Sequence, residues 1–227
     1  MISTIIFDLD GTLADSSQCI VEAMNATEQT MNLVPTSAKA IRAQIGLPLG
    51  EMLVSLYGIP AEQIAAAISI YSDHYRRLTA SFECLFEGML PLLQTLRGKQ
   101  LKLAIATGKS QEGANHATAR LGIAQYFDTI HGILPNTPGK PNPAVLLRVM
   151  EALGVSAEEC LMVGDTTFDM KMAQSVGMHT LAVTWGVHSL AELQACGVDT
   201  IVEHPTDLLA LILQYCFGTD FEIIASS

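Results

Sequence analysis

The chain has 227 residues, 49% of them hydrophobic and 15% charged, which gives enough apolar material for a full core and excludes a disordered, charge-dominated polymer. Its formal net charge of −11 argues against nucleic acid as a partner, because gripping a phosphate backbone takes clustered Lys and Arg. A small phosphorylated metabolite stays compatible, since a bound divalent cation reverses the field locally.

The opening MISTIIFDLDG has no basic leader ahead of an apolar stretch. The apolar run 208–217 is far shorter than the roughly 20 residues a membrane span needs. Five scattered cysteines (Cys19, Cys84, Cys160, Cys196, Cys216) without CxxC spacing read as reduced thiols. The expectation is a cytoplasmic protein, monomer or homodimer, with no membrane partner.

In chain order, residues 3–8 (STIIFD) predict the first strand, followed by helical patterns to about Asn32, over 38–44 and over 61–77. Asp15 with Gln18 resembles a capping box at the start of that stretch. Strands are then expected over 101–106 (LKLAIA), 160–164 (CLMVG), 179–184 (HTLAVT) and 200–203 (TIVE), with helices around 115–121, 144–153 and 169–175. These runs are continuously apolar, as strands covered on both faces of a parallel sheet should be. The class is α/β, a Rossmann-like doubly wound parallel sheet, with residues 1–14 and 82–227 as the core. Residues 15–81 form a small all-helical cap domain inserted after the first strand. Ligands bind beyond the carboxyl ends of such strands, so the insertion is expected to lie over the site as a lid.

The chemistry collects at those strand ends. Asp8 and Asp10, in Phe7-Asp8-Leu9-Asp10-Gly11-Thr12, leave the first strand into a glycine turn; two anions held so close need a cation or a shared proton. A surface turn explains that pair equally well on its own. Thr107-Gly108-Lys109-Ser110 follows LKLAIA and can form an anion site at a helix start, although Thr107 alone reads as a plain N-cap. Lys140 lies in the proline-stiffened Gly139-Lys140-Pro141-Asn142-Pro143, where alone it would be a solvated charge. Gly164-Asp165-Thr166-Thr167-Phe168-Asp169 follows CLMVG, and Asp169 alone could simply cap a helix. Four such strings in order, each at the edge of one sheet, point to a common site.

With these motifs the chain resembles a haloacid dehalogenase superfamily phosphatase with a helical cap. Within that superfamily it is most similar to phosphoglycolate phosphatases, through Ile45-Gly46-Leu47-Pro48-Leu49, Gly164-Asp165-Thr166-Thr167-Phe168-Asp169-Met170 and Val183-Thr184-Trp185-Gly186. The resemblance implies a Mg²⁺ cofactor and two catalytic steps. Asp8 attacks phosphorus as nucleophile, and Asp10 protonates the leaving oxygen and then activates water. Asp8, the Asp10 carbonyl and Asp165 suit the oxygen preference of Mg²⁺. Thr107 and Lys140 are expected to hold phosphoryl oxygens, with Gly11, Thr12 and Gly108 beside the substrate and Asp169 orienting Lys140 or a metal-bound water.

His131, His179 and His188, Met170 and Met172, and Trp185-Gly186 read as packing or turn residues. Arg42, Tyr71, Arg76 and Arg77 are candidates to meet the leaving group, with Arg76 and Arg77 equally a solvated helix face. Asp10 with GDxxxD speaks against a dehalogenase, and a cap whose one lysine is Lys39 speaks against a phosphonate hydrolase. A sugar-phosphate mutase, a nucleotidase, a pyrophosphatase and a non-catalytic phosphate-binding module remain alternatives.

Overall fold

The computed structural model describes residues 1–218; the end of the 82–227 segment, residues 219–227, lies outside the described residues. The core strands are β1 (Thr4–Phe7), β4 (Lys102–Ser110), β5 (Thr129–Ile133), β6 (Cys160–Gly164), β7 (His179–Val183) and β8 (Thr200–Val202). They form one sheet in the order β5-β4-β1-β6-β7-β8. All its pairings are parallel. Every residue of β1 is buried, and its side chains alternate between two apolar layers. Ile5 and Phe7 enter one layer with Leu93, Leu103 and Leu181, and Ile6 enters the other with Ala104, Met162 and Met172. Each such side chain contributes about 1.5–3 kcal/mol by leaving water. This two-sided burial explains why the strand sequences are apolar without alternation.

The covering helices are α5 (Met89–Gly98), α6 (Gln111–Arg120), α7 (Ala144–Leu153), α8 (Thr167–Gln174), α9 (Leu190–Ala195) and α10 (Pro205–Phe217). α10 contains the apolar 208–217 run and buries Leu208, Ile212, Leu213 and Cys216 against the first layer. Among the described residues no single helix is long and apolar enough to cross a membrane.

Between β1 and β4 the chain builds α1 (Ser17–Met31), α2 (Ala38–Arg42), α3 (Leu49–Tyr57) and α4 (Ala61–Phe82). These pack on their own apolar cluster of Ile20, Met24, Ile41, Ile45, Leu53 and Tyr71. A buried carboxylate, Glu28, pins this layer by accepting from Tyr57 Oη at 2.7 Å and Thr36 N at 2.9 Å. The helical stretch is flanked by a two-stranded ribbon of β2 (Ala14–Asp15) and β3 (Cys84–Leu85), antiparallel, with Asp15 opposite Cys84.

Several expectations are corrected. Asp15 lies in β2 rather than in a capping box; Ser16 is the N-cap of α1 and its side chain caps nothing there. β5 was not anticipated because TIHGI is polar, half-exposed and at the sheet edge. α3 and α5 were also missed, and α4 runs on to Phe82 rather than Arg77. Thr107 is not a helix cap: Ser110 is, accepting from Gly113 N at 3.1 Å.

Candidate active site

Sheet register assembles the site. Phe7 stands level with Val163 on one side and Ile105 on the other, so Asp8 emerges between Gly164-Asp165 and the Ala106-Thr107 end of β4. Asp8 N donates to Val163 O at 2.9 Å, which holds its backbone to β6. Beyond Ala106 the pairing of β4 with β5 shifts, freeing Thr107-Gly108-Lys109 from the ladder.

Asp8, Asp165 and Asp169 converge, with one carboxylate oxygen of each within 4.8 Å of the others and all three side chains buried. Lys140 is equally buried rather than solvated, with its Nζ 2.7 Å from Asp8 Oδ1 and 2.5 Å from Asp169 Oδ1. One ammonium against three carboxylates leaves two negative charges uncompensated in a dry volume. Burial therefore pushes the Asp8 carboxyl well up, against the pull of Lys140, with Asp169 and Asp165 adding to the rise. Asp165 is pushed up to about 7 by burial and then by Asp169. Lys140 is held above the ordinary lysine range: burial alone would lower it, but Asp169 and Asp8 outweigh that. Among the described residues no donor reaches the buried Asp8 Oδ2. An orphaned carboxylate oxygen, a deficit of two charges and oxygen-only donors fit a hard divalent cation such as Mg²⁺.

Neighbours fix each group. Asp165 accepts from Thr12 Oγ1 at 2.9 Å and Val187 N at 2.8 Å. The Thr12 hydroxyl is thus directed at Asp165 rather than at a substrate, and its carbonyl accepts from Trp185 Nε1. Asp169 Oδ2 accepts from Thr166 Oγ1 at 2.6 Å within a capping box that starts α8, leaving Oδ1 for Lys140. Gly11 has φ +79°, and a Cβ there would sit 2.3 Å from Asp165 Oδ2; any side chain would displace that carboxylate.

The helical layer reaches over these groups. A Cβ on Gly108 would lie 2.3 Å from Gly46 O, and Pro48 packs against Gly139, so the 45–48 loop rests on the rim made by the β4 end and the Lys140 loop. Of the candidates there, Arg42 donates to Gln18, Arg76 pairs with Asp73 in the open, and Tyr71 is buried and stacked on Tyr75. Met170 and Met172 are core residues, and His188 accepts from Thr167 N at the start of α8.

Sequence reasoning passed over three residues that the structure brings to Asp10. Ser16 Oγ donates to Asp10 Oδ1 at 2.5 Å, Lys109 Nζ lies 3.0 Å from the same oxygen, and Tyr75 Oη accepts from Lys109 at 3.0 Å. The available signal for Lys109 was its place two residues after Thr107, a second lysine at a strand end beside a carboxylate pair.

A sequence profile described as "Haloacid dehalogenase-like hydrolase" matches residues 5–183, from β1 through the end of β7. The chain belongs to this family. Among curated members, it is similar to "Probable phosphatase IndB" of Dickeya dadantii, with 36% identity over 203 residues and 88% of each chain covered. It is similar also to "Pyrophosphatase PpaX" of Halalkalibacterium halodurans, 28% identical over 211 residues, covering 93% of this chain and 97% of the relative. A solved structure described as "a predicted phosphatase from Clostridium acetobutylicum" superposes with a TM-score of 0.86 at 26% identity, covering 94% of this chain and 99% of the other.

Proposed function

We propose that this haloacid dehalogenase-like hydrolase is a Mg²⁺-dependent phosphatase acting on a small phosphomonoester through an aspartyl-phosphate at Asp8. The observation that carries the reading is Asp8 itself. It is a buried carboxylate at the end of the central strand with one unsatisfied oxygen, faced by a single ammonium and two further carboxylates. A carboxylate kept for structure would have its oxygens satisfied.

In the first step an Asp8 oxygen bonds to phosphorus as the bond to the leaving oxygen breaks, and Asp10 gives that oxygen its proton. In the second, Asp10 as carboxylate takes a proton from water, whose oxygen attacks the acyl phosphate; inorganic phosphate leaves and Asp8 is restored. Lys140 and Thr107 hold phosphoryl oxygens, and backbone N–H groups of Thr12 and Gly108 complete the cradle, whereas the Gly11 N–H is taken by Ala14 O at 2.8 Å and Gly11 serves by leaving room beside Asp165. Asp169 keeps Lys140 aimed at Asp8. Asp8, Asp165 and the Asp10 carbonyl would hold Mg²⁺, which would supply charge neutralisation for the nucleophile and the phosphoryl group. The helical layer over the site is the substrate-selecting cap. The setting is cytoplasmic, monomer or homodimer, without nucleic-acid or membrane partners.

For the leaving group, the phosphoglycolate-phosphatase likeness of the local strings favours a small anionic alcohol. The likeness to the pyrophosphatase PpaX makes pyrophosphate the second reading. Phosphate release from phosphoglycolate, pyrophosphate and hexose phosphates, each with Mg²⁺ and with EDTA, separates them, and isomerised product would identify a mutase. Activity that survives EDTA, or survives Asp8→Asn, overturns the mechanism.

A further inference from the structure

Among the described residues, the two side-chain contacts to the Asp10 carboxylate both fall on Oδ1, from Ser16 Oγ and from Lys109 Nζ. Its Oδ2 makes no hydrogen bond or ion pair with a side chain among the described residues. Ser16 opens the helical layer, so one contact comes from the ribbon that joins cap and core. Lys109 belongs to the core, where its backbone N–H donates to Thr107 Oγ1, but the remaining contacts of its ammonium belong to the cap. Its ammonium donates to Tyr75 Oη on α4 at 3.0 Å and lies 4.4 Å from the centre of the Tyr75 ring. Tyr75 in turn donates to Glu83 Oε1 at 2.7 Å, and Glu83 pairs with Arg120 of α6. Glu83 ends the cap immediately before β3, so the chain of contacts closes on the second ribbon strand.

We propose that Lys109 is the positioning residue for the acid/base Asp10, and that Tyr75 makes its hold depend on the cap being seated. The inference rests on the phosphatase reading above and adds to it how proton transfer is tied to cap position. An ammonium on a four-carbon stem has three donors and many rotamers; a single carboxylate does not fix it. The Tyr75 hydroxyl and ring face supply the second and third constraints, and both leave with α4 when the cap lifts. Lys109 remains charged in this setting: burial would lower it, but Asp10 and then Tyr71 raise it above the ordinary range. The hydroxyl of Tyr75 stays protonated, with burial and then Asp10 pushing it up, so it can accept from Lys109 while donating to Glu83.

An ordinary structural ion pair would affect every substrate alike when removed. In the first step, which kcat/KM reports, a group that aims the acid affects only substrates whose leaving oxygen needs a proton; the second step, with Asp10 as base, is common to all of them. The test compares Lys109→Met and Tyr75→Phe with wild type on 4-nitrophenyl phosphate, whose phenolate departs unaided, and on benzyl phosphate, whose alkoxide cannot. General acid catalysis contributes about 10²–10⁴-fold, so Lys109→Met should lose about 30-fold more kcat/KM on benzyl phosphate than on 4-nitrophenyl phosphate. Tyr75→Phe, which keeps the ring and removes the hydroxyl, should shift the ratio in the same direction by about 3–10-fold, the worth of one net hydrogen bond. Equal losses on the two esters, or none, overturn the proposal; should Lys109→Met fail to fold, Tyr75→Phe decides alone. Wild type that cleaves neither ester brings down the phosphatase reading together with this one, whereas wild-type cleavage with unchanged ratios refutes this inference only.

Discussion

Replacing Asp165 by asparagine should stabilise the metal-free protein while removing its response to Mg²⁺. Asp165 is buried beside Asp169, and its carboxyl is pushed up from 3.8 to about 7. A displacement of that size corresponds to about 4 kcal/mol. The folded chain prefers Asp165 protonated, so the stability this preference contributes is present in full below about pH 4 and is lost as pH rises towards 7. At pH 8 the wild type carries the whole penalty of the charge and Asp165→Asn carries none. Against this, the amide can accept from only one of Thr12 Oγ1 and Val187 N without turning its NH₂ towards the other, a loss of about 1–1.5 kcal/mol. The net gain for the variant in EDTA at pH 8 is therefore about 2.5–3 kcal/mol, shrinking to nothing or reversing by pH 4. Urea denaturation of both proteins at pH 8 and pH 5, in EDTA and in millimolar Mg²⁺, measures it. Magnesium should raise the wild-type midpoint by mass action and leave the variant where it was. A variant less stable than wild type in EDTA at pH 8 would refute the charge-deficit argument, as would the same stability gap at the two pH values.

Lys140→Met has the opposite sign. Removing the one ammonium leaves Asp8 and Asp169 buried without a counter-charge, so stability in EDTA at pH 8 should fall by about 3–5 kcal/mol in urea melts, with phosphate release lost as well. Gly108→Ala places a methyl 2.3 Å from Gly46 O, and an overpacked contact costs about 1–3 kcal/mol. That strain falls on the cap–core rim, so steady-state kinetics should show KM raised and the thermal midpoint of the core nearly unmoved.

The central sheet was legible because both of its faces are covered: unbroken apolar runs marked its strands, and those at 3–8, 101–106 and 160–164 each lead into residues with chemistry. Asp8, Thr107, Asp165 and Asp169 could be placed at one edge by that logic, whereas Lys140 follows β5, which no apolar run marks, and its role came from the resemblance. What escaped was whatever depends on tertiary neighbours. β5 is an edge strand whose Thr129 and His131 are half-exposed, so it lacks the apolar run that marked the others. Ser16 and Asp15 carry cap-forming side chains, yet Ser16 is drawn to Asp10, and Asp15 into a ribbon whose partner lies at Cys84, far along the chain. Lys109 had a signal in its place two residues after Thr107, but its partner Tyr75 became visible only with α4 lying over it. The Thr12 hydroxyl likewise finds Asp165 across a separation of 153 residues, beyond the reach of any local pattern.

The β2–β3 ribbon has an evolutionary and engineering consequence. Ala14 stands opposite Leu85 and Asp15 opposite Cys84, so the points where the chain departs for the helical layer and returns from it are cross-strand neighbours, about 5 Å apart. A tight turn can span that gap, so residues 16–83 leave the core and return to it at a single seam. Swapping that segment is not neutral for chemistry, because Ser16, Tyr75 and Glu83 travel with it while Asp10 and Lys109 stay behind. A transplanted cap would bring a new substrate preference and would also have to bring its own means of steadying the acid.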